Sequence, residues 1–420
     1  MRVLLCAATT GYQVRAFDAA ADELGVELQL ATDRCHVLED PWRDRAIPVR
    51  FHDPARSLEA VRRLAAERRL HGVLAVGDDP AVIAAHAARA LGLPWHSPEA
   101  AEAARQKLQS RRRLAKAGLP VPEFGVWSAD SRRHWEERLP VVVKPAALAG
   151  SRGVIRADTP AQLEEAVARV GRILDAPELR ARPTPEGEQI LVERFIPGRE
   201  FAVEGAVDRG RFRPFAIFDK PDPLDGPYFE ETIYVTPSRA PSAVQQAILD
   251  TVPAACRALG LEHGPVHAEC RVNGEGVFML EAAARPIGGL CARALRFEGF
   301  NGVTSSLEAL LLGHACGLRR LDDWRREEQA SGVMMIPIPA AGVFRGVDGV
   351  REAEAVPGIE SVEITARPDQ QLLPLPEGAT YLGFIFARGA SPQGVEDALR
   401  AAHARLRIRL DRPVPVIPAP

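Results

Sequence analysis

Within the first hundred residues, short apolar runs at 3–8 (VLLCAA), 26–31 (VELQLA) and 72–77 (GVLAVG) alternate with stretches at 13–25, 57–69 and 79–92 that read as helices. The second and third of those stretches carry apolar residues at helical spacing. A strand followed by a helix cannot reach the next strand through a tight turn, so such strands lie parallel, and continuous apolar runs mark strands covered on both faces. A parallel, doubly wound α/β sheet is therefore predicted for the N-terminal part. The turn after the first strand, ATTGYQ, holds one glycine and lacks G-x-G-x-x-G, so a plain wall of a cleft is preferred there to a dinucleotide site.

The texture then changes twice. A helix is predicted over 98–117, carrying Lys107 and stopped by Gly118 and Pro120. LPVVVKP (139–145) reads as a strand ending on Lys144, followed by a small-residue loop, AALAGSRGV (146–154), a helix from Thr159 and a Pro-rich polar connection over 175–188. From 189 the pattern is antiparallel: QILVERFI, EFAVEGAVD and RFRPFAIFDK are joined by IPGR and RGR turns. After a helix near 241–260 come HGPVHAECRV and GVFMLEA, with the hairpin signal Asn-Gly between them. Beyond 330, GVMMIPIP, SVEIT and YLGFIFARG read as strands, VEDALRAAHARLRIRL as a closing helix and PVPVIPAP as an extended tail.

At 420 residues and 46% hydrophobic content the chain can build two or three domains. A net charge of -3, with no basic patch interleaved with aromatics, argues against a nucleic-acid partner. The cysteines at 6, 35, 256, 270, 291 and 316 form no C-x-x-C pair, which points to a reducing compartment. No apolar run approaches a membrane span and the first residues are too short a run for a signal peptide, so a soluble, cytoplasmic protein is expected. Only four of the 53 basic residues are lysines (Lys107, Lys116, Lys144, Lys220). A lysine retained against that bias marks a place that wants a compact ammonium rather than a guanidinium fork.

Four constellations can carry chemistry. Lys144 followed by A-G-S-R-G offers unobstructed backbone N–H groups, a hydroxyl and an ammonium, as a polyphosphate requires; an ordinary turn is the alternative. Glu269 and Glu281 lie on the two arms of a hairpin where they can be cross-strand neighbours. Two such acids repel unless a cation lies between them, and hard oxygen ligands suit Mg²⁺; the alternative is that they face solvent or arginine. Glu193 and Glu200 bracket RFIPGR, which can be an adenine-type hinge followed by a ribose-binding acid, or a hairpin with surface glutamates. Arg285, just past Glu281, suits a substrate carboxylate or a developing oxyanion, although most of the arginines must lie on the surface.

In order, Lys107, VVVKP, AGSRGV, VERFIPGREF, DK, HAE and MLEAAARPIGG resemble the motifs of the ATP-grasp superfamily, and within it the chain is most similar to carboxylate–amine ligases of the bacterial L-amino-acid (dipeptide) ligase type. The resemblance implies a mixed α/β and α+β architecture: a Rossmann-like N-terminal domain (1–96), the ATP-grasp small or lid subdomain (97–195), the large subdomain with the metal site (196–325), a C-terminal α/β subdomain (326–410) and a Pro-rich tail (411–420). It implies ATP with Mg²⁺, or Mn²⁺ in its place, and small-molecule carboxylate and amine substrates; for assembly, a homodimer is the general default. By the same resemblance Lys107 and Lys144 meet the α and β phosphates, and Gly150, Ser151 and Gly153 form the loop over the triphosphate. Glu193, Arg194 and Ile196 match the adenine hinge, Glu200 the ribose acid, and Lys220 a lysine near the terminal phosphate. Glu269 and Glu281 match the metal ligands, His267 a histidine near the acceptor, and Arg285 the arginine that steadies the acyl phosphate.

The implied reaction is amide formation through an acyl phosphate, shielded from water by a lid for which 146–154 and 175–188 are the candidates. One departure stands out: where many relatives have Glu-x-Asn, this chain has Glu281-Ala282-Ala283, and Ala283 cannot coordinate a second metal. A purine-pathway or carboxylase-type ATP-grasp enzyme is the rival within enzymes; a nucleotide-binding protein without ligase turnover is the rival outside them.

Overall fold

In a computed structural model, residues 1–8, 13–33, 46–180 and 187–411 are described. Most of the ATTGYQ turn, Cys35, residues 181–186 of the polar connection and the tail beyond 411 lie outside them.

The N-terminal strands β1 (Arg2–Ala7), β2 (Glu27–Thr32), β3 (Ala46–Pro48) and β4 (Gly72–Val76) pair in parallel in the order β3-β2-β1-β4. Every residue of β1 is buried, as a central strand covered on both faces must be. Helix α1 (Val14–Leu24) connects β1 to β2, α2 (Pro54–Glu67) connects β3 to β4, and α3 (Asp78–Leu91) follows β4. α2 starts where Asp53 accepts the Arg56 N–H and Pro54 takes the first helical position. β3, only three residues long, carries too little pattern to be read from sequence.

The helix predicted over 98–117 is two helices, α4 (Pro98–Arg105) and α5 (Lys107–Lys116), broken at Gln106, whose backbone is extended (φ -88°, ψ 106°). No glycine or proline announces this break. It places Lys107 at the start of α5, where its ammonium donates to the Leu148 carbonyl of the 146–154 loop, so a tertiary contact overrides helix propensity.

Next, β5 (Phe124–Val126), α6 (Arg132–Glu136), β6 (Val141–Pro145), β7 (Ile155–Ala157), α7 (Pro160–Leu174), α8 (Pro177–Arg180) and β8 (Ile190–Arg194) build a four-stranded antiparallel sheet in the order β5-β8-β6-β7. α7 opens with a Thr159–Gln162 capping box and buries Leu163, Ala166 and Val170 against this sheet together with Trp135.

The largest sheet takes β9 (Arg199–Asp208), β10 (Arg211–Asp219) and β11 (Ile233–Thr236), then, after α9 (Ser242–Leu259), the hairpin β12 (Gly264–Asn273) and β13 (Gly276–Ala283). A small sheet of β14 (Arg296–Gly299), β15 (Thr304–Ser306) and β16 (Trp324–Arg326) flanks α10 (Leu307–Ala315), which is buried on every face. The chain closes through β17 (Ala330–Ile336), β18 (Gly342–Asp348), α11 (Val350–Glu354), β19 (Ile359–Ile364), β20 (Gln371–Leu372), β21 (Gly383–Gly389), α12 (Pro392–His403) and β22 (Arg407–Asp411). The last piece is not all helix: after α12 the alternating RIRL pairs with β18 as an edge strand.

Strands from both sides of residue 326 join in one eight-stranded sheet, ordered β13-β12-β9-β10-β11-β17-β21-β19. The seam is β11 against β17, with Ile233 opposite Met334 and Thr236 opposite Ser331. Between β8 and β9 the IPGR turn places Gly198 at φ +119°, where a Cβ would run into the Val272 carbonyl of β12. Gly198→Ala is therefore expected to lose roughly 2 kcal/mol or more of stability from left-handed backbone strain and the clash. Urea unfolding checks it, and a midpoint equal to wild type would remove this account of the turn.

Candidate active site

The β12–β13 ladder places Glu269 directly opposite Glu281 and His267 opposite Ala283. Neither acid ends its strand; β12 runs on to Asn273 and β13 to Ala283. The register slips after Glu269, because Cys270 pairs with Met279 and Leu280 is the extra residue. A bulge of this kind breaks strict alternation, and Leu280 and Glu281 both reach the same cavity.

Next to Glu269 lies a buried ammonium. Lys220 Nζ is 2.8 Å from Glu200, 2.5 Å from Glu231 and 2.8 Å from Glu269, and 5.0 Å from the Tyr234 ring centre. Burial alone would neutralise Lys220, but the three carboxylates hold its proton well above the ordinary lysine range. Glu231 is pushed up to about 7, first by burial and then by the neighbouring Glu269 charge, with Lys220 opposing. His267 sits between acids, Nδ1 3.1 Å from Glu204 and Nε2 3.5 Å from Glu269. Burial works against its charge, yet these two carboxylates raise it to about 9, so the imidazolium is the neutral-pH form. Glu204, fully buried, is anchored in turn by the Ile287 N–H at 3.1 Å.

On the opposite wall, Lys144 contacts Glu193, whose other oxygen accepts from Arg111 Nε at 2.7 Å. Glu193 is 2% exposed, so its side chain is a buried counter-ion rather than a surface group of the turn. Backbone groups of the expected hinge are also engaged: Arg194 N–H donates to Glu123 and the Ile196 carbonyl accepts from Arg271. Burial, with the Arg111 and Lys107 charges adding to it, lowers Lys144 to about 8 against the pull of Glu193. The loop beyond it turns through positive φ at Gly150, Ser151 and Gly153 (66°, 55°, 75°), and Gly153 N–H donates to the Pro376 carbonyl at 2.8 Å.

Arg285 closes the third wall. Its guanidinium forks onto Asp78 at the start of α3 (2.8 and 3.3 Å) and lies 3.6 Å from Glu281. Burial would raise Asp78, but Arg285 and then Lys107 hold it below the usual carboxylate range.

Twelve of the fourteen residues singled out from sequence line one cavity of about 420 Å³. Lys220 lies beneath its floor and Gly153 behind its loop. A wider cleft of about 1430 Å³ adjoins it, bounded by the N-terminal sheet and sharing Asp78, Lys107 and Glu281. Sequence reading missed Asp78, Arg111, Glu204 and Glu231. Asp78 carried a usable signal, an acid at a helix N-terminus directly after a parallel strand; the others lie within regular elements or next to a second glutamate and look like ordinary surface charge.

A family profile described as ATP-grasp domain matches residues 137–294, one described as ATP-grasp N-terminal domain matches 17–95, and one described as L-amino acid ligase C-terminal domain 2 matches 334–411. The chain is 31% identical to a D-alanine–D-alanine ligase of Desulforudis audaxviator, over 63% of this chain and 85% of that one. It is 27% identical to the alanine–anticapsin ligase of Bacillus subtilis, over 58% and 52%. The crystal structure of an L-amino acid ligase from Bacillus licheniformis superposes with a TM-score of 0.78 at 26% identity, covering 97% of this chain and 99% of that one. The chain thus spans about half of the alanine–anticapsin ligase and 63% of another curated relative. Among the described residues no helix is long and apolar enough to cross a membrane.

Glu193 is in contact with two cations, Arg111 and Lys144. Glu193→Gln strands both charges in a buried site, and a loss of about 3–5 kcal/mol is expected, as for other broken buried pairs. Chemical denaturation at constant pH measures it; a loss under about 1 kcal/mol would mean that the pairing is solvated.

Proposed function

This chain belongs to the ATP-grasp family of carboxylate–amine ligases, and from that premise we propose that it activates the carboxylate of an amino acid or similar small acid as an acyl phosphate and passes it to an amine, forming an amide or peptide bond. The observation that carries this reading is the facing pair Glu269 and Glu281, with Arg285 four residues further on and 3.6 Å from Glu281, in the cavity that Lys107 and Lys144 also line.

Members of the family use ATP with a divalent metal, and the donor set here suits a hard cation. Glu281 is a third exposed and lies 3.6 Å from Arg285, while Glu269 lies opposite it. Glu269 and Glu281 would hold Mg²⁺, which when bound neutralises phosphate charge. Ala283 is buried opposite His267 and offers no donor, so one well-held ion is the stoichiometry proposed.

The chain's own groups do the rest. Lys107 and Lys144 place positive charge on the triphosphate side, and Lys144 does so as a partly desolvated ammonium. Glu200 lies at the cavity wall where a ribose can reach it, its oxygens also holding Lys220 and Arg271. The substrate carboxylate attacks the γ-phosphorus in line, releasing ADP; the amine then adds to the acyl carbon and phosphate leaves with its electron pair. Arg285, oriented by Asp78, faces the charge that develops on the acyl oxygen, and His267 keeps a positive charge beside the acceptor. The 146–154 loop, already tied to Pro376, excludes water that would hydrolyse the acyl phosphate. Gly288 leaves open space beside the acyl position, whereas Gly289 does not, because a side chain there would strike Phe384.

Incubation with ATP, Mg²⁺ and pooled amino acids is expected to release phosphate in a substrate-dependent way and to give products of dipeptide mass. ATP binding without stimulated release by any pool would instead make the chain a nucleotide-binding protein. Glu281→Ala is expected to abolish turnover, and near-wild-type release from it would remove the metal assignment. Because Lys144 is lowered to about 8, the free enzyme loses that charge as pH rises through 8, and kcat/KM for ATP should fall along the alkaline limb from there. Lys144→Arg, whose charge persists, should move that limb upward; an identical profile in the variant would assign the limb elsewhere.

A further inference from the structure

We propose that Asp208, His263 and His314 form a binding site for a divalent transition metal of the zinc class, separate from the reaction cavity and serving to anchor α10. The three come from distant parts of the chain: Asp208 closes β9, His263 precedes β12, and His314 is the penultimate residue of α10. None lines the cavity or the adjoining cleft. His263 lies six residues from Glu269, roughly 20 Å along an extended strand.

His263 Nδ1 and His314 Nε2 each lie 3.4 Å from the same Asp208 oxygen. Neither meets hydrogen-bond geometry with it, although the Asp208 charge opposes burial at both rings, and among the described residues both His263 nitrogens and His314 Nε2 are buried without a hydrogen-bond partner. The two side chains are only 12% and 7% exposed, so these nitrogens are withheld from water as well. Buried imidazole nitrogens normally find a partner. A separation of 3.4 Å is long for a hydrogen bond, but two donors at about 2.0–2.1 Å from a tetrahedral Zn²⁺ are about 3.3–3.4 Å apart, the edge of the tetrahedron. Burial also disfavours the imidazolium of both histidines, leaving the lone pairs that a soft-to-borderline metal uses.

The rings are stacked, 4.4 Å between centres and 21° between planes. Sharing one ion requires them to rotate apart, and Asp208, at 42% exposure, leaves the remaining coordination position to water. Arg209, next along the chain, lowers both histidines electrostatically and therefore opposes a cation. Such a site would fasten α10 to the ends of β9 and β12. α10 in turn meets the N-terminal sheet, where Gly72 of β4 has no side chain to obstruct the Ala315 carbonyl.

The test is calorimetric titration of the full-length, tag-free, metal-stripped protein with ZnCl₂ in excess Mg²⁺, with Co²⁺ absorption as a second probe. One equivalent is expected to bind, and binding should persist in the Glu269→Gln/Glu281→Gln double variant. His263→Gln and Asp208→Asn should each weaken it by at least about tenfold, as losing a ligand does, and Arg209→Gln should tighten it. Asp208 is exposed enough that its variant tests the site even if a histidine variant does not fold. No Zn²⁺ bound beyond what Mg²⁺ displaces, or unchanged affinity in both Asp208→Asn and His263→Gln, would overturn the proposal. Phosphate release is not the readout, so the outcome is independent of the ligase reading.

Discussion

A buried ammonium survives only inside a shell of anions, and Lys220 dictates where the strands around it must meet. Its three carboxylates come from the start of β9, the approach to β11 and the middle of β12. Glu269 also touches His267, and Glu200 also touches Arg271, so three acids hold three bases in one packed layer that forms part of the cavity wall above Lys220. Leaving any one of these charges unmatched is costly, and a one-residue slip of β9 or β12 would turn Glu200 or Glu269 to the wrong face.

The same logic joins the parts of the chain to each other. Arg285 just after the hairpin pairs with Asp78 at the start of α3, Arg111 of α5 with Glu193 of β8, and Arg169 of α7 with Glu377 between β20 and β21 at 2.7 Å. Each pair joins elements far apart in the chain, and Asp78, Arg285 and Glu193 line the cavity itself. Side chains that would be costly alone become the fasteners by which three sheets share one chamber.

Where periodicity was strong the sequence could be read directly. The parallel N-terminal strands, the β9–β10 turn at Arg209–Gly210 and the Asn-Gly hairpin that opposes Glu269 and Glu281 all follow from local pattern and turn chemistry. What escaped was decided by tertiary contact. The break at Gln106 has no local cause, the strand character of RIRL depends on its pairing with β18, and Glu193 became a buried counter-ion because Arg111, a residue of unremarkable helical context, reaches it from α5. Glu231 was indistinguishable from Glu230 beside it until the fold turned one of them onto Lys220. A single sequence encodes such pairings only jointly, across separations of 11 to 82 residues.

The β11–β17 seam bears on how such a chain can be rebuilt. Because the last part of the chain extends the same ladder that carries Glu269, it is not a cassette that can be exchanged between relatives to alter pocket shape. A graft would have to reproduce four consecutive backbone pairings, Ile233 with Met334 through Thr236 with Ser331, before any new side chain reached the chamber. Recombination breakpoints are better tolerated in the turns outside this ladder, and diversification of the pocket is more readily obtained by point changes on its rim than by swapping the piece that completes it.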